Sequence, residues 1–116
     1  MPHIRVDYSA SLEDAFDRRG FALALHPVVA DTVSTHVSNC KSRFRRAEET
    51  VVGDGSVDGA VIHVAIRLAP GRTDEVKGRL TEAVLALLPA HVKPVEGLAV
   101  HLSAEAHDFE RSYRRR

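Results

Sequence analysis

The sequence is poor in cysteine and in aromatic residues, and neither sign of charge is in excess. Cys40 is the single cysteine, so an internal disulfide is excluded and a cysteine-based metal site has no second ligand. Tryptophan is absent and aromatics make up 5% of the chain, too few for the stacking platforms of nucleic-acid-binding proteins. Because 16 Lys and Arg residues balance 16 Asp and Glu residues, we expect no nucleic-acid partner and no attraction to an anionic membrane.

Long apolar runs are also missing. No stretch approaches the roughly 20 consecutive apolar residues that span a bilayer, and the start, MPHIRVDYSA, lacks the apolar core of a signal peptide. We therefore expect a cytoplasmic protein with no membrane partner. The 116 residues predict a single domain over 1–116. A domain of this size buries only about two thirds of its unfolded surface, so self-association would add useful burial.

Alternation of apolar and polar residues predicts four strands, over 2–8, 40–52, 60–68 and 98–105. A first helix is indicated by the apolar residues between 12 and 29, with Ser11 as its candidate cap and Pro27 expected to kink or shorten it. A second helix follows Thr73, where Asp74 and Glu75 suit the helix dipole, and carries apolar residues at helical spacing from 76 to 88. A polar tail is predicted over 106–116.

The order strand, helix, strand therefore occurs twice, in half-repeats at about 2–52 and 60–105. Each helix is long enough to cross between parallel strands. The predicted fold is a two-layer α+β domain of duplicated β-α-β units, with one four-stranded sheet and two helices on one of its faces. The other face is predicted to be polar and suited to contact other subunits and trapped water; it carries His3, Arg5, Asp7, His63, Arg67, His101 and Ser103.

Pro2 is the candidate for unusual chemistry. Removal of the initiator methionine, normal before proline, leaves a free secondary amine at the start of a strand. An α-amino group titrates closer to neutrality than lysine, and burial or neighbouring cations lower its pKa further. Such an amine can take a proton from carbon and return it elsewhere. The dipeptide Met1-Pro2 alone is common in proteins that make no use of it.

A combination of motifs gives the dipeptide more weight. Met1-Pro2-His3 before a hydrophobic strand, the strand Val61-Ile62-His63-Val64 and the turn Ala69-Pro70-Gly71-Arg72 before a helix resemble the 5-carboxymethyl-2-hydroxymuconate Δ-isomerase family of the tautomerase superfamily. The segment Lys41-Ser42-Arg43 resembles a basic segment where that family has arginine, serine and arginine. The resemblance covers nearly the whole chain. It implies a homotrimer with active sites near subunit contacts, and a cofactor-free 1,3 proton shift in an unsaturated 2-hydroxy or 2-oxo dicarboxylate from aromatic-compound (homoprotocatechuate) breakdown.

The resemblance also implies roles for individual residues. Pro2 would shuttle the proton, and Arg72 would bind a carboxylate or the 2-oxo group and stabilise the developing dienolate. A second basic residue should hold the distant carboxylate. The family's first arginine is Lys41 in this chain, so either Lys41 acts as a point charge or Arg43 takes the role. This departure from the family's pattern bears on the substrate more than on the reaction type.

Other interpretations remain open. The same scaffold supports keto-enol tautomerases, decarboxylases and dehalogenases, and a non-catalytic trimeric binding module is a further alternative. Arg72, Lys41 and Arg43 are ordinary surface charges if the resemblance carries no function. His63 and His101 share one face of the sheet, but no acidic or cysteine partner has ligand spacing, so we expect no metal. We expect Glu105 to be an edge charge.

Overall fold

The computed structural model describes residues 1–116. Its regular elements are β1 (His3–Ser9), α1 (Arg18–Val33), β2 (Lys41–Ala47), β3 (Gly59–Leu68), α2 (Asp74–Leu87) and β4 (Ala99–Asp108). The strands form one sheet in the order β2-β1-β3-β4. Each outer pair is parallel, and the central pair of β1 and β3 is antiparallel. Two β-α-β units thus join through their first strands, which confirms the predicted two-layer α+β fold.

The core lies between the helices and one face of the sheet. Alternate residues of β1 and β3 are buried, namely Ile4, Val6, Tyr8, Ala60, Ile62, Val64, Ile66 and Leu68. Helix α1 contributes Phe21, Leu25 and Val29, and α2 with the turn after it contributes Leu80, Val84 and Leu88. Full burial of each large aliphatic side chain stabilises the fold by about 1.5–3 kcal/mol. The residues of opposite parity, including His3, Arg5 and His63, therefore lie on the open face of the sheet.

Helix α1 differs from its prediction in its cap and in continuing past Pro27. Its cap is Asp17, whose carboxylate accepts a hydrogen bond from the Gly20 N–H at 3.0 Å, whereas Ser11 lies in a short 3₁₀ turn. Pro27 stands inside the helix without ending it. Because proline has no N–H, the carbonyl of Leu23 lacks its intrahelical hydrogen bond. Leu23 is 60% exposed, so water can supply the missing hydrogen bond. The Ser11 prediction was therefore wrong, and Pro27 does not shorten the helix.

The other elements are closer to prediction. Thr73 caps α2 by accepting from the Val76 N–H at 3.2 Å, as predicted. Strand β2 ends at Ala47 rather than 52, because its partner strand β1 ends at Ser9, the residue opposite Ala47. Strand β4 continues to Asp108, where it still pairs with Leu68, so the polar tail begins later than predicted. Neither helix combines the length and the apolarity that a bilayer crossing needs.

Candidate active site

A cleft of about 370 Å³ lies beside the first residues of the chain. Its lining comes from Met1, Asn39, the turn after β3 at Ala69 and Pro70, and the segment from Phe109 to Arg115. Pro2 follows Met1 and is buried. Its carbonyl accepts a hydrogen bond from the Lys41 N–H at 3.1 Å, which ties the start of β1 to the start of β2. The N-terminus is thus fixed at the edge of a cleft of substrate size.

The α-amine at this cleft is in an environment that disfavours its charged form. Burial lowers the pKa of the Met1 amine, and the positive charges of Arg115, Arg72 and Lys41 lower it further, while Cys40 opposes them. With Met1 present, the Pro2 nitrogen is an amide and has no basicity. Removal of Met1 would move the free amine one residue along the chain, to the buried Pro2, beside the same cations.

Arg72 lies between the turn after β3 and the end of α1. Its Nε and Nη2 both donate to the Val33 carbonyl, at 3.3 and 2.7 Å, and its Nη1 donates to the Ala69 carbonyl at 3.1 Å. Val33 is the last residue of α1, so the guanidinium satisfies a helix carbonyl that lacks an intrahelical partner and complements the negative end of the dipole. Three of its five N–H bonds are used and two remain, although Arg72 itself is not among the residues that line the cleft.

The structure separates Lys41 from Arg43. Lys41 is exposed, and its Nζ lies 3.5 Å from the carbonyl of Asn39, a residue that lines the cleft. Arg43 donates to Nδ1 of His3 at 3.1 Å and lines a smaller cavity of about 260 Å³ on the open face of the sheet. The charge of Lys41 lowers the pKa of the Met1 amine, and the backbone N–H of Lys41 donates to the Pro2 carbonyl. Of the two candidates, Lys41 is therefore the one near Pro2.

The polar side chains of the open face form a network. His63 contacts Ser103 through Nδ1 at 2.7 Å and Glu105 through Nε2, and His107 contacts the other oxygen of Glu105. Hydrogen bonds from His107 and His63 lower the pKa of Glu105. Glu105, expected to be an edge charge, instead bridges two histidines. No three His, Cys, Asp or Glu side chains converge as metal ligands would.

The C-terminal segment is the part of the site that the sequence analysis missed. A run of arginines after Glu110 is typical of solvated surface, and the segment was expected to be a polar tail. It instead forms one wall of the cleft and brings Arg115 to the amine. The signal in the sequence was the pair Phe109 and Tyr113, two aromatic residues in an otherwise polar tail.

Comparisons with known proteins identify a family and solved structures with the same fold. A family model described as 5-carboxymethyl-2-hydroxymuconate isomerase matches residues 2–116. The chain is 25% identical over 91 residues to a 5-carboxymethyl-2-hydroxymuconate Δ-isomerase of Escherichia coli, covering 78% of this chain and 72% of the relative. A crystal structure of a 5-carboxymethyl-2-hydroxymuconate isomerase from Deinococcus radiodurans R1 has a TM-score of 0.81 at 23% identity, covering 98% of this chain and 88% of that one. A fused 4-OT symmetric trimer has a TM-score of 0.61 at 18% identity, with 90% and 85% covered.

Proposed function

The chain belongs to the 5-carboxymethyl-2-hydroxymuconate isomerase family and is an isomerase, and from this premise we propose that Pro2, freed by removal of Met1, is its catalytic acid and base. The proposed substrate is an unsaturated 2-hydroxy or 2-oxo acid with at least two carboxylates, of the 5-carboxymethyl-2-hydroxymuconate kind, formed in aromatic-compound breakdown. The carboxymethyl arm adds a third carboxylate to the two of muconate. A proton shift within such a molecule needs only a base and nearby positive charge, and the chain supplies both.

The proposed reaction moves one proton between two carbons. The neutral amine of Pro2 takes a proton from C3 of the 2-oxo-4-ene acid, and the electron pair of that C–H bond delocalises over the 2-oxo oxygen, C3 and C5. The ammonium of Pro2 then returns the proton to C5, which leaves the 3-ene. The enzyme regains its neutral amine, so one group serves as base and then as acid.

The observation that carries the proposal is the environment of the amine. Burial, Arg115, Arg72 and Lys41 all lower the pKa of the Met1 α-amine. The Pro2 amine, freed one residue along the chain, is proposed to meet the same burial and the same cations, so that more of it is neutral near pH 7. The same cations suit an anionic substrate. A neutral base surrounded by positive charge is what removal of a proton from an anionic acid requires.

Arg72 and Lys41 supply the proposed electrostatic stabilisation. The two N–H bonds of Arg72 that remain free are proposed to bind the 2-oxo oxygen or its adjacent carboxylate, where negative charge develops. The three bonds to Val33 and Ala69 hold the guanidinium in one orientation beforehand. Lys41 is proposed as the second cation, in preference to Arg43, because Arg43 contacts His3 on the open face.

Self-association, as a trimer, is also proposed. The open face carries His3, Arg5, Arg43, Arg67 and a histidine-carboxylate network in place of apolar side chains, and β2 and β4 leave unpaired edges. A tautomerase-like neighbour is described as a symmetric trimer. Light scattering at several protein concentrations should give three times the mass of one chain; a monomer at all concentrations would contradict this.

The test of the function is an ultraviolet assay with 5-carboxymethyl-2-hydroxymuconate on protein whose intact mass shows loss of methionine. We expect rapid isomerisation by the wild type and a severe loss of turnover in Pro2→Ala, since a primary amine differs in basicity and geometry. Pro94→Ala, in an exposed loop, is the matched control and should be unchanged. Full turnover by Pro2→Ala would remove Pro2 from the mechanism.

A further inference from the structure

The segment after β4 is held against β1 by specific contacts. The Phe109 N–H donates to the Leu68 carbonyl at 2.7 Å, and the Phe109 and Tyr113 rings stack with centroids 3.9 Å apart. The Tyr113 hydroxyl lies 3.1 Å from Nε2 of His3. Because Arg43 can only donate to Nδ1 of His3, Nε2 carries the hydrogen and donates it to Tyr113. The segment is therefore fixed in place where it passes the N-terminus.

This anchoring places Arg115 at the cleft, whereas Arg114 is directed away from the cleft. Arg114 turns back and donates to the carbonyls of Arg111 and Tyr113, at 3.0 and 2.8 Å. Arg115 lines the cleft with Met1, and its side chain makes no hydrogen bond or ion pair with the rest of the chain. The charges of Glu110 and Arg111, which also line the cleft, offset each other. Arg115 thus keeps all five of its N–H donors for a ligand.

The chemistry of the proposed substrate indicates which group should meet this arginine. C5 receives the proton, so it must approach the amine to a near-attack separation of about 3–3.5 Å. C5 also carries the carboxymethyl arm, whose carboxylate is one CH₂ group away. The C6 carboxylate, which is bonded to C5 directly, and the arm's carboxylate must therefore both lie close to the amine. With Lys41 proposed for the C6 carboxylate, Arg115 is the cation that remains for the arm.

We propose that Arg115 is a specificity-determining residue that binds the carboxymethyl carboxylate, with the segment from Phe109 to Arg115 acting as a wall of the active site. This inference rests on the proposed function, because it takes Pro2 as the base. Arg72 and Lys41 bind the parts of the substrate that any hydroxymuconate has. Arg115 recognises the arm that distinguishes this substrate.

The test compares 5-carboxymethyl-2-hydroxymuconate with 2-hydroxymuconate, which lacks the arm. Arg115→Ala should lower kcat/KM for the first compound by about 10- to 100-fold, mainly through KM, because a charge-assisted bidentate contact is lost. For 2-hydroxymuconate the change should stay within about threefold when both compounds are assayed at a pH above the ordinary pKa of an α-amine, where the amine is neutral with or without Arg115. Where its turnover is too slow, its inhibition constant gives the same comparison. Arg116→Ala removes the same charge one residue along and should leave both substrates unaffected.

The outcomes separate the inference from the proposed function. Equal losses on both compounds, or no loss on either, would overturn the role of Arg115. Pro2→Ala is assayed in parallel and should lose turnover of both compounds. If Pro2→Ala is inactive and Arg115→Ala behaves as the wild type, the inference alone fails. If Pro2→Ala is fully active, the proposed function fails. Arg115→Lys should recover part of the lost kcat/KM, since it restores the charge without the bidentate fork.

Discussion

Replacement of Arg72 by alanine should reduce stability as well as activity, because its guanidinium is part of the fold. It donates three hydrogen bonds to two backbone carbonyls, one of them at the C-terminus of α1. Hydrogen bonds from a charged donor contribute about 1.5–3 kcal/mol each when partly buried, less when water can replace them. Arg72 is half-buried, so we expect Arg72→Ala to lower the free energy of unfolding by about 2–3 kcal/mol.

That loss is large enough to measure by thermal denaturation. A chain of 116 residues has an unfolding entropy near 0.24 kcal/mol/K, so 1 kcal/mol shifts Tm by about 4 °C. Arg72→Ala should therefore lower Tm by about 8–12 °C at a fixed protein concentration. Arg79→Ala is the matched control: that arginine is exposed on α2, pairs only with Glu75, and should change stability by less than about 0.5 kcal/mol.

Activity measured on the same samples separates the two roles of Arg72. We expect Arg72→Ala, assayed well below its Tm, to lose turnover as well, since the charge at the developing dienolate is gone. Arg72→Lys should recover more of the lost stability than of the lost activity. The lysine ammonium is a point charge and cannot contact two carbonyls and an oxyanion together. An Arg72→Ala variant with wild-type Tm would refute the reasoning, since the guanidinium would then be free of Val33 and Ala69.

Two further predictions concern stability. Gly78 lies in the exposed middle of α2 with open space around a new Cβ, so Gly78→Ala should stabilise the protein by about 0.5–1 kcal/mol. Gly59→Ala would bring its Cβ within 2.6 Å of Val52 and should destabilise the protein. Urea midpoints that change in the reverse order would contradict the packing. Burial lowers the pKa of His26, and burial with Arg43 and Lys41 lowers that of His3, so the unfolded chain binds protons more tightly than the folded one. Stability should be full above about pH 6.5 and fall as the pH drops below it, and a urea midpoint that rises on acidification to about pH 5.5 would show the opposite linkage.

The fold was predictable from the sequence because its strands alternate clearly and its halves repeat one order of elements. The predicted bounds of strand β3 and helix α2 lie within a few residues of the observed ones. An unbroken series of alternate aliphatic residues marks β3, and the Thr73 cap marks the start of α2. The cap of α1 was not predictable in the same way. Ser11 and Asp17 are both acceptable caps, and only packing of Leu12 and Phe16 into the core leaves Asp17 at the helix start.

The candidate site was less predictable than the fold. Motif resemblance points to Pro2, Arg72 and a basic segment, but it gives no means to choose between Lys41 and Arg43. That choice depends on the cleft near Met1, which tertiary structure creates. The contribution of Arg115 depends on a stacked aromatic pair and on a hydrogen bond between Tyr113 and His3, residues 110 positions apart. No local pattern encodes such a contact.

The measurement that tests the central claim most directly compares two forms of the wild-type protein, with and without Met1. The form that retains methionine is purified from cells in which methionine aminopeptidase is inhibited, and intact mass verifies both samples. Only the form with a free Pro2 amine should isomerise 5-carboxymethyl-2-hydroxymuconate, and its kcat/KM should rise with pH through a pKa below the ordinary value for an α-amine. Equal activity of the two forms would show that the Pro2 amine is not the base.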